Sequence, residues 1–465
     1  NQIIYQFAKE LSRMVKHRCR VAFALCLTLT FTVITVETSS GVPYPFDPDT
    51  VTSSPRGVTP QPSAAAVTGD IYCLLDSMTV TTSSSDGGSD IWGWQAPDGR
   101  EYAIMGVTDG FVFVDVATGQ IVQRVIDDCG NAGSWRDFKT YQHYCYAVTE
   151  CSGAGRGVQI IDMAGLPNSI RDLGLFATTA TTHWHNIGID TVRGFAYLAS
   201  QNDGFEVLDL SNPEQPVSLG FVNTGGCHDL YADNDTVWVA ESFQPFFSVW
   251  DMTNKGNPTR IAHVSIPNAG FVHEIWVNAD RTLAITTEET PGKTVKIWDI
   301  QNLGNVQLLG EYLGPSNLAH NAYLIGDTAY LSHYQSGVVA LDLTDPTNPV
   351  EIDRFDTYPP GENSGFAGCW GIFPFTSSGK IYASNLSGGV LFVFGDAAMG
   401  ADNSFGPAPL TVQFDSRACQ TVLATSWDFG DGGSSSMAAP QHTYSEAGLY
   451  TVNLELQTTT DTFNV

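Results

Sequence analysis

The chain has 465 residues, enough for two or three domains, and 43% of them are apolar, enough to fill a sizeable core. Asp and Glu outnumber Lys and Arg by 49 to 21, and the formal charge of −28 would repel phosphates, which argues against nucleic acid or an anionic membrane as partner. Long helical patterns are missing while Gly, aromatic and β-branched residues are dense, an all-β composition.

Read from Met14, the basic group Lys16, His17, Arg18 and Arg20 precedes an apolar run over 21–36 and the small residues Thr38-Ser39-Ser40-Gly41. This is the pattern of a secretory signal peptide over 14–40. A membrane anchor is the rival, but the run falls short of about 18 residues and holds four threonines. No other stretch suits a bilayer span, so the mature chain is expected to have none. Residues 41–69 are rich in Pro, Ser, Thr and Ala without periodicity and read as a disordered linker. A strand-like segment follows at 70–80.

From Ser89 onward one phrase recurs: His, a short polar or acidic residue, then apolar residues. It begins at His185, His228, His273 and His320, spaced by 43, 45 and 47 residues. Altered heads stand at Ser89-Asp90-Ile91-Trp92, Arg136-Asp137-Phe138 and Trp370-Gly371-Ile372-Phe373, making seven. Each repeat holds short β-rich runs separated by turn residues, and the third run carries an apolar–apolar–Asp signature, as in Leu208-Asp209-Leu210 and Leu341-Asp342-Leu343. Four strands at this period make a propeller blade. The seventh repeat stops after its third strand, and 70–80 is the natural filler for its open edge. The expected architecture is all-β: a seven-bladed β-propeller over 70–395, a linker at 396–402 and a second β module over 403–465.

The second module contains Trp427-Asp428-Phe429-Gly430-Asp431-Gly432, His442-Thr443-Tyr444 and Gly448-Leu449-Tyr450-Thr451-Val452, and closely resembles the PKD domain, a small β-sandwich. The resemblance implies a spacer or accessory binding module of a secreted or cell-surface protein. The third-strand phrases of the repeats resemble the LVIVD repeat. Together with Ser134-Trp135-Arg136-Asp137, His185-Asn186, His228-Asp229, His320-Asn321 and Gly368-Cys369-Trp370, they make 70–395 similar to the choice-of-anchor B proteins. Those proteins are exported and tethered by varied C-terminal anchors, and the family implies no reaction. WD-repeat proteins are the rival, since Trp250-Asp251 and Trp298-Asp299 mimic their dipeptide, but only two repeats do so.

Of nine cysteines, Cys19 and Cys26 fall in the signal, leaving an odd number. A disulfide between Cys129 and Cys151 is expected because both reach one face of the propeller. Cys145 begins the strand that Cys151 ends, about 20 Å away and out of reach. Cys227 and Cys369 head non-adjacent blades and should not pair with each other.

Strand order puts the heads, the loops between second and third strands and the inter-blade connections on one face. That face gathers Arg136, His185, His228, His273, His320 and Trp370 with the loop residues Glu241 and His333, the candidate ligand-binding set. Two readings compete. In one, a divalent metal ion is the candidate cofactor, held by His185, His228, His273 and His320. In the other, each histidine braces its blade by bonding a backbone carbonyl or a neighbouring acid. Repetition favours bracing, and a seven-fold mouth about 10 Å across is wide for one ion at about 2.1 Å. No nucleophile elbow, phosphate loop or His-Glu-x-x-His helix is present. The expected function is therefore a secreted or surface-attached binding or adhesion protein with a glycan or protein ligand. The runner-up is a metal-dependent extracellular hydrolase or lyase acting on polysaccharide.

Overall fold

The computed structural model describes residues 71–81, 87–127, 135–150, 157–178, 183–359, 365–403, 405–418 and 420–458, and the backbone of 462–464. The signal peptide, the linker at 41–69 and the Cys129–Cys151 pair lie outside the described residues. Within them, seven four-stranded antiparallel sheets follow one another along the chain, the blades of a β-propeller, followed by the two sheets of a β-sandwich. Blade 3 shows the plan: Asn186–Asp190, Phe195–Ser200, Gly204–Asp209 and Val217–Asn223 pair in that order.

Two local devices repeat in almost every blade. The Asp closing the third strand turns its carboxylate back onto the backbone N–H two residues on, at 3.0 Å for Asp115, 2.7 Å for Asp209 and 2.8 Å for both Asp251 and Asp342. This Asx turn ends the strand, and it explains why the third run carries an Asp in repeat after repeat. Just before it, the pairing of third and fourth strands slips by a residue, as between Val207 and Leu208, Ile297 and Trp298, and Ala340 and Leu341. Such bulges increase the twist each blade needs near the rim. The second and third strands are buried on both faces, and apolar clusters between blades join Tyr197, Phe205 and Val207 to Leu230, Val237 and Trp250, for example.

The fourth strand of blade 7 is Leu74–Thr79, which pairs antiparallel with Val390–Phe394 outside Ile381–Asn385 and Cys369–Phe373. Tyr72, fully buried, anchors this strand to the preceding blade as well. Its hydroxyl donates to the Val339 carbonyl at 3.0 Å, its backbone N–H donates to Asp353 at 2.7 Å, and its ring packs on Phe394 at 5.4 Å.

Residues 396–402 are not a linker. Ala397–Ala401 is a strand paired with Leu410–Ala418, and its alternation lays Ala397, Met399 and Ala401 against the core of the C-terminal module. The C-terminal module packs Val412, Phe414, Trp427, Phe429, Tyr444, Leu454 and Leu456 into one core. It touches the propeller directly: Gln120 donates to the Asp402 carbonyl at 2.6 Å, and Arg417 pairs with Asp76 on the closing strand at 2.5 Å. Cys73 is disulfide-bonded, whereas Cys145, Cys227 and Cys369 are free and buried.

Removing residues 1–80 is expected to lower the melting temperature far more than removing 1–69. Only the longer deletion takes away the outer ladder of blade 7 and the Tyr72 anchor, and burial of a comparable aromatic side chain is worth about 3–5 kcal/mol by itself. Equal melting temperatures followed by circular dichroism would show that the ring closes without this segment.

Candidate ligand-binding site at the channel mouth

Each head stands at the start of a first strand, and the first strands of neighbouring blades run side by side around the axis. One repeat period therefore carries each head onto the next. The ring centroids of His185 and His228, His228 and His273, His273 and His320, and His320 and Trp370 are all 4.1 Å apart. Trp135 lies flat on Trp370 at 4.3 Å, reaching across the blade whose head is the small Ser89. The result is an arc of stacked rings around the mouth.

The four histidines do not share one environment. His185 Nδ1 sits 2.5 Å from Glu150 on the second-to-third-strand loop of blade 2. Burial alone would lower its pKa, but the Glu150 carboxylate outweighs burial and holds it raised. His228 Nδ1 lies 2.8 Å from the backbone carbonyl of His273 and donates to it, an inter-blade brace. His273 and His320 each place Nε2 3.9 Å from a different oxygen of Glu289, on the corresponding loop of blade 5. Burial, reinforced by neighbouring imidazoles, pushes His228, His273 and His320 well below the usual histidine range, so these rings are neutral at neutral pH.

A second layer lies beneath, built from the residue after each head. Asp137 accepts the Ile187 N–H at 2.7 Å, Glu274 accepts the Ala322 N–H, and Asn186 donates to the His228 carbonyl at 3.2 Å. The short polar or acidic position of the repeat thus stitches one blade to the next. Four members are acids, Asp90, Asp137, Asp229 and Glu274, all buried, with Lys139 bonded to Asp137 at 2.7 Å. Burial, with added repulsion from Asp137, pushes Asp90 well up. Burial likewise raises Glu274, helped by Asp229, and moves Asp229 to about 7. Further down the axis Trp276 packs on Tyr231 at 4.5 Å, Tyr323 at 4.7 Å and Phe375 at 5.2 Å, so side chains fill the channel.

A pocket at the mouth is lined by Trp135, Arg136, His185, His273, His320 and Trp370, with Asp90, Asn186 and Asn321 also in its wall. His228 belongs to the ring stack without lining it. Arg136 is spent on structure: its Nε bonds Asp127 at 2.6 Å and a terminal nitrogen donates to the Val107 carbonyl at 2.8 Å. Glu241 and His333 do not join the ring. Glu241 bonds His263 on the fourth strand of its own blade at 3.1 Å. His333 is held by Ser316 at 2.9 Å and burial moves its pKa down to about 4. Both are held away from the ring by these partners, His263 on the fourth strand of blade 4 and Ser316 in the connection between blades 5 and 6. The four histidines likewise do not converge on one point, since consecutive rings follow one another around the mouth at 4.1 Å, each tilted by 42–55° against the last. Trp135 and the acidic layer are what sequence reasoning missed. The signal for the layer was the acidic or amide residue following each head.

The acidic layer makes stability depend on pH in a defined direction. A carboxyl raised in the fold contributes stability below its unfolded pKa near 4 and loses it as pH rises through about 7. Asp229→Asn is therefore expected to raise the melting temperature above pH 7, and the gain should fade as the pH falls toward about 4. A gain of the same size at both ends of this range would contradict the raised pKa.

Comparison with known proteins agrees with this architecture. Residues 397–464 match the PKD domain, and residues 191–224 and 319–357 match the LVIVD repeat. Among curated proteins none matches the sequence. Many solved structures share the fold. One, titled "Structure of U3-55K", superposes with a TM-score of 0.52 at 12% identity, covering 69% of this chain and 98% of that one, a likeness of fold alone. The chain carries LVIVD repeats in its propeller and ends in a PKD domain.

Proposed function

We propose that this is an extracellular binding protein of the choice-of-anchor B kind. Its recognition surface is the propeller face around the ring stack, and its PKD domain is the spacer. The observation that carries the reading is an aromatic ridge at the mouth. Phe243 is 42% exposed, seated on Phe271 at 4.9 Å, which in turn packs on His228 at 4.9 Å. Across the mouth Phe366 packs on Tyr334 at 5.3 Å, and Tyr334 on Trp370 at 5.9 Å. Aromatic side chains fixed from beneath lose little entropy on binding, and an amphipathic ligand such as a glycan can lay its apolar faces against them. The filled channel supports contact at the face rather than inside the barrel. The PKD and LVIVD matches support an extracellular setting.

A glycan array probed with the full chain, and with Phe243→Ala and Phe366→Ala, tests the reading. Phe243 is exposed enough that its truncation should leave the fold intact. At least about tenfold weaker binding is expected from each variant, the loss of roughly 1.4 kcal/mol. Absence of any bound glycan or protein, or binding indifferent to Phe243, would sink it.

A further inference from the structure

We propose that His273, His320 and Glu289 bind one divalent transition-metal ion in the wall of the channel mouth. Their ligand atoms all lie within 4.8 Å of one another, and all three residues are buried. The group is built across a blade boundary: His273 and Glu289 come from the head and the second-to-third-strand loop of blade 5, and His320 is the head of blade 6. Each imidazole Nε2 faces its own carboxylate oxygen at 3.9 Å. Ligands on a tetrahedral ion with bonds of 2.0–2.2 Å stand about 3.3 Å apart, so small side-chain rotations close the set.

A second, independent observation points to a ligand. His273 and His320 each turn toward the backbone carbonyl of the next head, as His228 does, but His320 Nε2, the nitrogen that faces Glu289, is buried without a hydrogen-bond partner. Buried polar atoms left this way are rare in folded proteins and call for an explanation. An ion at Nε2 supplies one for the His320 nitrogen that faces Glu289. The surroundings hold the ligands in place, as outer contacts of metal sites do. The Tyr334 hydroxyl donates to Glu289, and His320 is clamped between His273 and Trp370 at 4.1 Å on either side.

The other two ring histidines are already committed, His185 to Glu150 and His228 to the His273 carbonyl, which confines the ion to this trio. Two imidazoles and one carboxylate suit zinc and its first-row neighbours rather than calcium, which takes oxygen ligands. Three protein ligands leave a coordination position for water or for a donor group of a bound partner. The site does not depend on the mouth being a recognition face.

The test is titration of the chelator-stripped full chain with zinc chloride at neutral pH by calorimetry. It runs beside Glu289→Gln, His320→Asn, His185→Gln and His442→Gln, each checked for a native melting transition. One zinc per chain is expected, weakened at least about 100-fold by the first two substitutions and left unchanged by the last two. Failure to bind zinc saturably, binding indifferent to Glu289→Gln, or equal loss in His185→Gln would overturn the assignment. Should the buried variants fail to fold, the cobalt complex of the parent chain decides. Strong visible bands of a four-coordinate nitrogen and oxygen site, bleached by zinc, are expected, and the weak bands of a six-coordinate ion would refute it.

Discussion

The ladder between Leu74–Thr79 and Val390–Phe394 joins the beginning of the propeller to its end, and the rest of the ring depends on it. Without it blade 7 would expose the edge of Val390–Phe394, leaving the last blade held against the first by the packing of Ile91 and Met105 with Phe373 and Leu391 and by the Glu101 bonds to Ser378 and Tyr382. Tyr72 extends the lock by bonding blade 6 while packing on blade 7, so one buried residue ties two consecutive blades together. The PKD domain leans on the same segment through Arg417 and Asp76. The closing strand is thus a junction for both domains.

A closed ring of seven blades concentrates its first strands around one axis, and whatever those strands carry is forced together there. In this chain the consequence is a layered plug. Stacked rings lie at the mouth, a mostly acidic layer lies beneath them, and aromatic side chains lie below that. The order follows from position in the repeat: the head, the residue after it and the residues two and three further along fall at successive depths. Burial then sets the chemistry. It keeps His228, His273 and His320 neutral and holds carboxyls such as Asp229 protonated far above their usual range. A chain with a large excess of acids has therefore placed several of them where they do not all carry charge.

Much of this was legible in the residues. The repeat period and the Asp that closes the third strands mark seven blades, because a strand-turn signal repeated at a fixed interval has few other solutions. The heads fall at one mouth because strand order alone fixes which loops share a face. The pairing of 397–401 with 410–418 was not legible, since Ala-Ala-Met-Gly-Ala lacks the bulky alternation that marks a strand, and only the sandwich edge it meets makes it one.

The sequence by itself determined the architecture and which residue types surround the axis, since these depend on periodicity and local turn chemistry. The tertiary structure decided what each of those residues does. Four histidines in equivalent repeat positions meet three different neighbours: a loop carboxylate for His185, a backbone carbonyl for His228, and the shared Glu289 for His273 and His320. The carboxylates come from loops that differ in length and composition from blade to blade, whereas the carbonyl belongs to the next first strand. Repeat spacing makes the heads equivalent along the chain, but partner choice is settled by distances of a few ångströms between loops far apart in sequence.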